Sequence, residues 1–186
     1  MTSQSAIKNA RASVAKVSTI IIVSHIMQNE MFKNPIFTSK WLHSAVSQLI
    51  GWVVYDLYVA KMYKFKHPNK KVSAAINTVI KMGAIFTIAR IASTGMQGKI
   101  DINEKWAMNT AKVLVGFAAV ELISDKLPKW KGHEGTVKDL AFVIASSAAP
   151  VLIDGGELNE KFWLETMTVG VGFFVYDEYL QGKIFK

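Results

Sequence analysis

The sequence predicts an all-α protein, a six-helix polytopic membrane bundle built from three repeated helical hairpins with pseudo-threefold symmetry. Three observations lead to this expectation: an internal repeat, six apolar stretches, and basic charge that alternates between the connections. Composition agrees, because hydrophobic residues make up 51% of the chain and charged residues only 19%, against roughly 25% charged in an average soluble domain. We expect a single domain, 1–186, since this length suits one core.

One pattern occurs three times along the chain. Its anchor is the aromatic residue that ends TSKW, NEKW and NEKF, and a lysine precedes each anchor by 24 or 25 residues. A glycine follows each anchor by ten residues, and an acid follows each glycine by five. A period of roughly 60 residues suits one helical hairpin per unit, with units at approximately 8–66, 70–131 and 134–186. The repeated residues are Lys16, Lys81 and Lys138, then Gly51, Gly116 and Gly172, then Asp56, Glu121 and Asp177.

Six apolar stretches are expected to form the helices. Most of them approach the roughly 20 residues that a transmembrane helix needs. The β-branched runs TIIIV and WVVY favour strand locally, but the length of the stretches and the repeat favour helix. The stretches run near residues 14–28, 41–58, 72–93, 106–124, 136–153 and 162–180.

Basic charge alternates between successive connections. One side of a six-span protein would hold both termini and the second and fourth connections, with Lys8, Arg11, Lys61, Lys64, Lys66, Lys70, Lys71, Lys126, Lys129, Lys131, Lys183 and Lys186. The other side would hold only Lys33, Lys40, Lys99, Lys105 and Lys161. This is the positive-inside pattern. It predicts an integral membrane protein with both termini on the cytoplasmic-equivalent side, and a soluble helical bundle is the alternative.

The charges inside the apolar stretches are expected to pair. An ionised side chain in a bilayer is costly and needs a partner. The lysine and the acid of each unit are about equally far from the hairpin tip, so a constant helical rise puts them at similar depth. The predicted ion pairs, within one hairpin or between neighbouring hairpins, are Lys16–Asp56, Lys81–Glu121 and Lys138–Asp177.

These pairs allow two interpretations. They could surround an internal axis and form part of a solute or proton path, or they could only fix helix order and register. The second is favoured because all three units carry the pattern equally. A transport site needs a departure from that symmetry, and Arg90 and Lys112 are the departures that we identify.

Glycines and lysines outside the pairs have simpler expected roles. Gly51, Gly116 and Gly172 lie in mid-helix, where the missing side chain lets a neighbouring helix come close. The lysines of residues 61–71 are expected to contact anionic lipid headgroups or an acidic protein partner. Aromatic residues between these lysines would also suit nucleic acid, which is the less favoured partner. The contacting lysines are Lys61, Lys64, Lys66, Lys70 and Lys71.

We expect no enzyme, cofactor or metal site. The chain has no cysteine, which excludes thiolate ligands and cysteine catalysis. The four histidines lack the spacing of a metal motif, and no phosphate-binding glycine loop or nucleophile elbow is present.

The chain is small, cysteine-free, rich in Lys, Ile and Asn, and has hardly any segment outside the apolar stretches. In this general style it resembles membrane proteins of large icosahedral DNA viruses, some of which are minor structural components between an inner membrane and the capsid shell. The resemblance implies a structural or assembly role in a virion membrane, within a larger protein assembly. The alternatives are a small channel or transporter that uses the charged pairs, and a soluble helical adaptor.

Overall fold

The computed structural model describes residues 3–33, 38–181 and 183. This part of the chain is all-helical, with six α-helices and no strand. Each helix overlaps one of the predicted apolar stretches; the first begins about ten residues earlier than expected, and the second, fourth and sixth end two to five residues earlier. Residues 34–37 of the first connection and Lys186 lie outside the described residues. The helices are α1 Gln4–Phe32, α2 Ser39–Val54, α3 Lys70–Gly95, α4 Glu104–Leu122, α5 Glu134–Ile153 and α6 Glu160–Val175.

The repeated motif before each anchor is a helix N-cap. Thr38 Oγ1 accepts a hydrogen bond from the Trp41 N–H at 3.2 Å. The side-chain oxygens of Asn103 and Asn159 each accept from the aromatic N–H three residues later, both at 2.9 Å. A cap of this kind satisfies one of the backbone donors that a helix start leaves unpaired. The T/N-x-x-aromatic pattern therefore marks where α2, α4 and α6 begin.

Two of the three even-numbered helices end in a π-helical turn. Tyr55–Val59 continues α2 and Tyr176–Leu180 continues α6. In both segments the closing N–H bonds to a carbonyl five residues earlier, from Ala60 to Tyr55 and from Gln181 to Tyr176. The fourth helix instead ends at Leu122, before a short 3₁₀ turn. Asp56 and Asp177 thus lie in π turns, whereas Glu121 lies in regular helix.

The six helices close into a ring. Each helix packs against its neighbours in the chain, and α6 returns to pack against α1. Short connections between packed neighbours make successive helices antiparallel. An Nζ–Oδ1 ion pair of 2.6 Å between Lys71 and Asp125 joins the first turn of α3 to the fourth connection. The Tyr176 hydroxyl lies 3.4 Å from the Ala12 carbonyl oxygen, so the outer turns of α1 and α6 lie together.

Charged and apolar side chains are distributed unusually along the ring. Within the described residues, three helices are long and apolar enough to cross a membrane: Gln4–Met31, Lys70–Gly95 and Glu134–Ile153. Only 17% of the most apolar window of each is buried inside the chain. Large apolar side chains such as Leu42, Val115 and Met167 are more than half exposed, whereas Asp56 and Glu121 are buried.

Candidate functional site

The three repeated glycines lie at three helix–helix contacts. A Cβ on Gly51 of α2 would lie 2.6 Å from the Ile85 carbonyl oxygen of α3. A Cβ on Gly116 of α4 would lie 2.6 Å from Ser146 Cα of α5, and one on Gly172 of α6 would lie 2.8 Å from Ile20 Cα of α1. All are shorter than an ordinary contact, so these backbones approach as closely as glycine allows. Each glycine packs against the following unit in the ring and not against its own hairpin partner.

Two repeated lysines meet an acid at these same contacts. Lys16 Nζ of α1 lies 3.0 Å from Asp177 Oδ1 beyond α6 and also pairs with Asp139 of α5. Lys138 Nζ of α5 lies 2.9 Å from Glu121 Oε2 of α4. Thr78 Oγ1 donates a further hydrogen bond of 2.8 Å to the other oxygen of Glu121.

The predicted partners Lys16–Asp56, Lys81–Glu121 and Lys138–Asp177 are wrong. In the two ion pairs that join a repeated lysine to a repeated acid, the acid comes from the preceding unit in the ring. The number of residues between a side chain and the hairpin tip predicts how far along the helix it lies. It does not predict which neighbouring helix in the ring the side chain faces. At two of the three glycine contacts, the lysine reaches the acid that follows the glycine.

At the third contact, between α2 and α3, the repeated lysine forms no ion pair with a described residue. Lys81 Nζ lies 4.9 Å from the Trp52 ring centroid and 5.9 Å from that of Tyr55. Within the described part of the chain, no carboxylate oxygen lies within 4.0 Å of this ammonium. Asp56 is only 8% exposed, and its Oδ2 atom has no hydrogen-bond partner among the described residues.

A cavity of about 460 Å³ lies on the axis of the ring, and all six helices contribute to its wall. Its charged residues are Lys16, Lys81, Glu121 and Asp139. Its aromatic residues include Trp52, Phe117 and Phe173, which directly follow the three repeated glycines, together with Phe142 and Tyr176. The cavity thus combines repeated aromatic positions with a charge set that differs between units.

Asp139 is the departure from symmetry that the sequence interpretation missed. It directly follows Lys138, and the matching residues after Lys16 and Lys81 are Val17 and Met82. Comparing the residue after each repeated lysine would have found it. Its carboxylate lines the cavity and gives Lys16 a second acidic partner.

The two departures that the sequence predicted lie elsewhere. Arg90 Nη2 pairs with Asp101 Oδ2 at 3.2 Å near the end of α3. Lys112 pairs with Asp154, which follows α5. Neither residue lines the axial cavity. These two departures from the repeat therefore lie outside the axial cavity, whereas Asp139 lines it.

The lysine run of residues 61–71 covers the exposed second connection and the first turn of α3, and hydrogen bonds hold the connection against α3. The Phe65 backbone N–H and carbonyl both bond to the Asn77 side chain at 2.8 Å. Lys71 is engaged by Asp125, and this hydrogen bond lowers the pKa of the Asp125 carboxyl below its ordinary value. The lysines that remain exposed are Lys61, Lys64, Lys66 and Lys70.

A wider cavity adjoins the axial one at the end of the ring that carries this run. It has a volume of about 710 Å³ and is lined by Lys8 and Arg11. Ala12, Tyr176 and Gln181 line both cavities. Two cationic side chains thus line a cavity that adjoins the axial one.

Comparisons of the chain with protein-family models, curated proteins and solved structures return no match. Among the described residues, no group of three or more His, Asp or Glu side chains is placed to hold a metal ion.

Proposed function

We propose that the protein is a multi-pass integral membrane protein that crosses the bilayer six times and serves as a structural component of a membrane assembly. Both termini would lie on the cytoplasmic-equivalent side, together with the lysine run of residues 61–71. The observation that carries the proposal is that the distribution of polarity in the ring is partly inverted: the acids Asp56 and Glu121 are buried, whereas many large apolar side chains are exposed.

This inversion is unfavourable in water and favourable in lipid. Outward-facing Leu42, Val115 and Met167 are 55%, 53% and 62% exposed, and each would gain from transfer into hydrocarbon. Inward-facing Glu121 is 6% exposed and carries a lysine partner. A bilayer requires this arrangement, because ionisable side chains in a membrane face the bundle interior and pair there.

Three repeated features support a pseudo-threefold assembly of hairpins. An N-cap begins each even-numbered helix, a glycine brings it against the next unit, and an acid follows five residues later. Each glycine contacts the next unit around the ring, and two of the three acids form an ion pair with it. The hairpins would therefore be held together chiefly by contacts between units.

A structural role is supported by how the buried charges are used. Lys16 and Lys138 are both satisfied by acids within the chain. A buried ion pair serves register better than net stability, because desolvation offsets much of its attraction. The exposed lysines would add up to about 1 kcal/mol each on an anionic surface, either lipid headgroups or an acidic protein layer. The membrane assembly would be a virion, because the chain resembles virion membrane proteins in general style.

Extraction of the expressed protein from membranes at high pH tests the membrane part of this proposal. An integral protein stays in the membrane pellet and leaves it only with detergent. Release into the supernatant would support the soluble helical adaptor instead.

A small channel or transporter is the second candidate, and Asp139 favours it. This acid breaks the repeat inside a cavity that all six helices line, as a transport site requires. Measurement of ion and proton flux in proteoliposomes separates the candidates. A structural protein gives no flux above protein-free vesicles, whereas a transporter gives flux that Asp139→Asn reduces while the protein stays folded.

A further inference from the structure

We propose that the axial cavity binds a small organic anion, a carboxylate with an apolar body, on the ammonium of Lys81. This binding site goes beyond the structural role. It is tested in purified protein, so its failure would leave the membrane proposal untouched.

Lys81 is the cavity-lining charge without an ion pair among the described residues. Lys16 pairs with Asp139, and Glu121 pairs with Lys138. The Lys81 ammonium instead lies over the faces of Trp52 and Tyr55. Ring faces attract a cation, but they leave its three N–H donors without strong acceptors. A carboxylate in the cavity would supply both the opposite charge and the acceptor oxygens.

Asp56 does not fill this role. It is the acid equivalent to those that pair with Lys16 and Lys138, but it does not line the cavity. No ion pair joins it to Lys81. At the contact between α2 and α3, the Lys81 ammonium therefore lines the axial cavity without an ion pair. At the other two contacts the lysine is paired with an acid.

The aromatic residues in the rest of the cavity wall favour a ligand with an apolar body. Trp52, Phe117, Phe142 and Phe173 surround the axial space, and Phe117 and Phe142 are 5.3 Å apart between ring centroids. A volume of about 460 Å³ falls within the usual range for small-molecule sites. Chloride or inorganic phosphate would leave the aromatic surface unused. An aromatic or short aliphatic carboxylate would fill it.

The cavity that adjoins the axial one is lined by positively charged side chains. Lys8 and Arg11 line the adjoining wider cavity, and neither forms an ion pair with a described residue. Cationic walls raise the local concentration of anions and speed their association. The adjoining cavity thus favours the same ligand charge as the site itself.

Titration of the purified full-length chain with 4-fluorobenzoate, followed by ¹⁹F NMR in an uncharged detergent, tests the proposal. The neutral isostere 4-fluorobenzamide is titrated in parallel. Loss of a desolvated charge contact is expected to weaken 4-fluorobenzoate binding by about tenfold or more in Lys81→Gln. Lys81→Arg keeps the charge and should retain binding. Lys112→Gln is the matched control, because it removes a cation outside the cavity, and should bind as the unchanged protein does.

Three results would overturn the proposal. They are no 4-fluorobenzoate binding by the unchanged protein, equal affinity for 4-fluorobenzamide, or full binding by Lys81→Gln. The comparison of the two ligands needs no variant, so it stands even if Lys81→Gln fails to fold. Competition by vesicles of anionic phospholipid, without competition by free hexanoate, would also overturn it, because the site would then be a headgroup site.

Discussion

Replacement of Gly116 by alanine is the sharpest test of how the ring is held together. A Cβ at this position would lie 2.6 Å from Ser146 Cα, and it would also meet the Ala145 backbone. Ordinary contact begins at 3.4 Å and the Ala145 backbone lies closer still, so α4 and α5 must separate by at least about 0.8 Å. Neither neighbour is a flexible side chain that could turn away. Overpacking of this kind costs about 1–3 kcal/mol, against about 1 kcal/mol of helix propensity gained.

We therefore expect Gly116→Ala to lower the unfolding midpoint in detergent, followed by circular dichroism at 222 nm. Gly83→Ala is the matched control: it is also a mid-helix glycine, and its Cβ would meet only the end of Leu114 at 3.5 Å. It should unfold at or above the midpoint of the unchanged protein. The reasoning is refuted if Gly116→Ala is as stable as the unchanged protein, or if both variants lose the same amount.

Two further predictions concern charge. Lys138→Met leaves Glu121 buried without its cation and should destabilise the protein by about 1–3 kcal/mol, discounted for the partial exposure of Lys138. The double change with Glu121→Met should recover most of that loss in the same unfolding assay, and a double variant no better than either single one would contradict the pairing. For Asp125, the lowered pKa means that its ion pair stabilises the fold above the ordinary carboxyl value of 3.8 and that this contribution is lost as the pH falls through the lower, folded value. Carboxyl ¹³C NMR titration should show that pKa rising in Lys71→Met, and an unchanged value would refute the assignment.

The helices were predictable from the sequence because their signals are local. Apolar length identified all six, and the repeat located the starts of three of them through caps at Thr38, Asn103 and Asn159. The start of α1 was missed because Lys8 and Arg11 resemble a polar flank. A helix tolerates such residues when they project from its outer turns, so composition alone sets the boundary too late.

The pairing was harder to predict because it depends on direction around the ring. At equal depth in the ring, every lysine has two neighbouring acids. At two of the three glycine contacts the lysine pairs with the acid of the preceding unit, and a single sequence does not say which helix each glycine faces. Asp139 shows a second limit. It lies beside the repeated Lys138, where the other two units carry Val17 and Met82, so the repeated positions alone do not include it.

Topology in sealed vesicles tests the central claim most directly. The chain has no cysteine, so Ser39→Cys at the start of α2 and Met62→Cys in the second connection each give a single labelling site. Met62 is 77% exposed. A membrane-impermeant thiol reagent should label one of these variants in intact vesicles and the other only after permeabilisation. Equal labelling of both in intact vesicles would contradict a membrane-spanning ring.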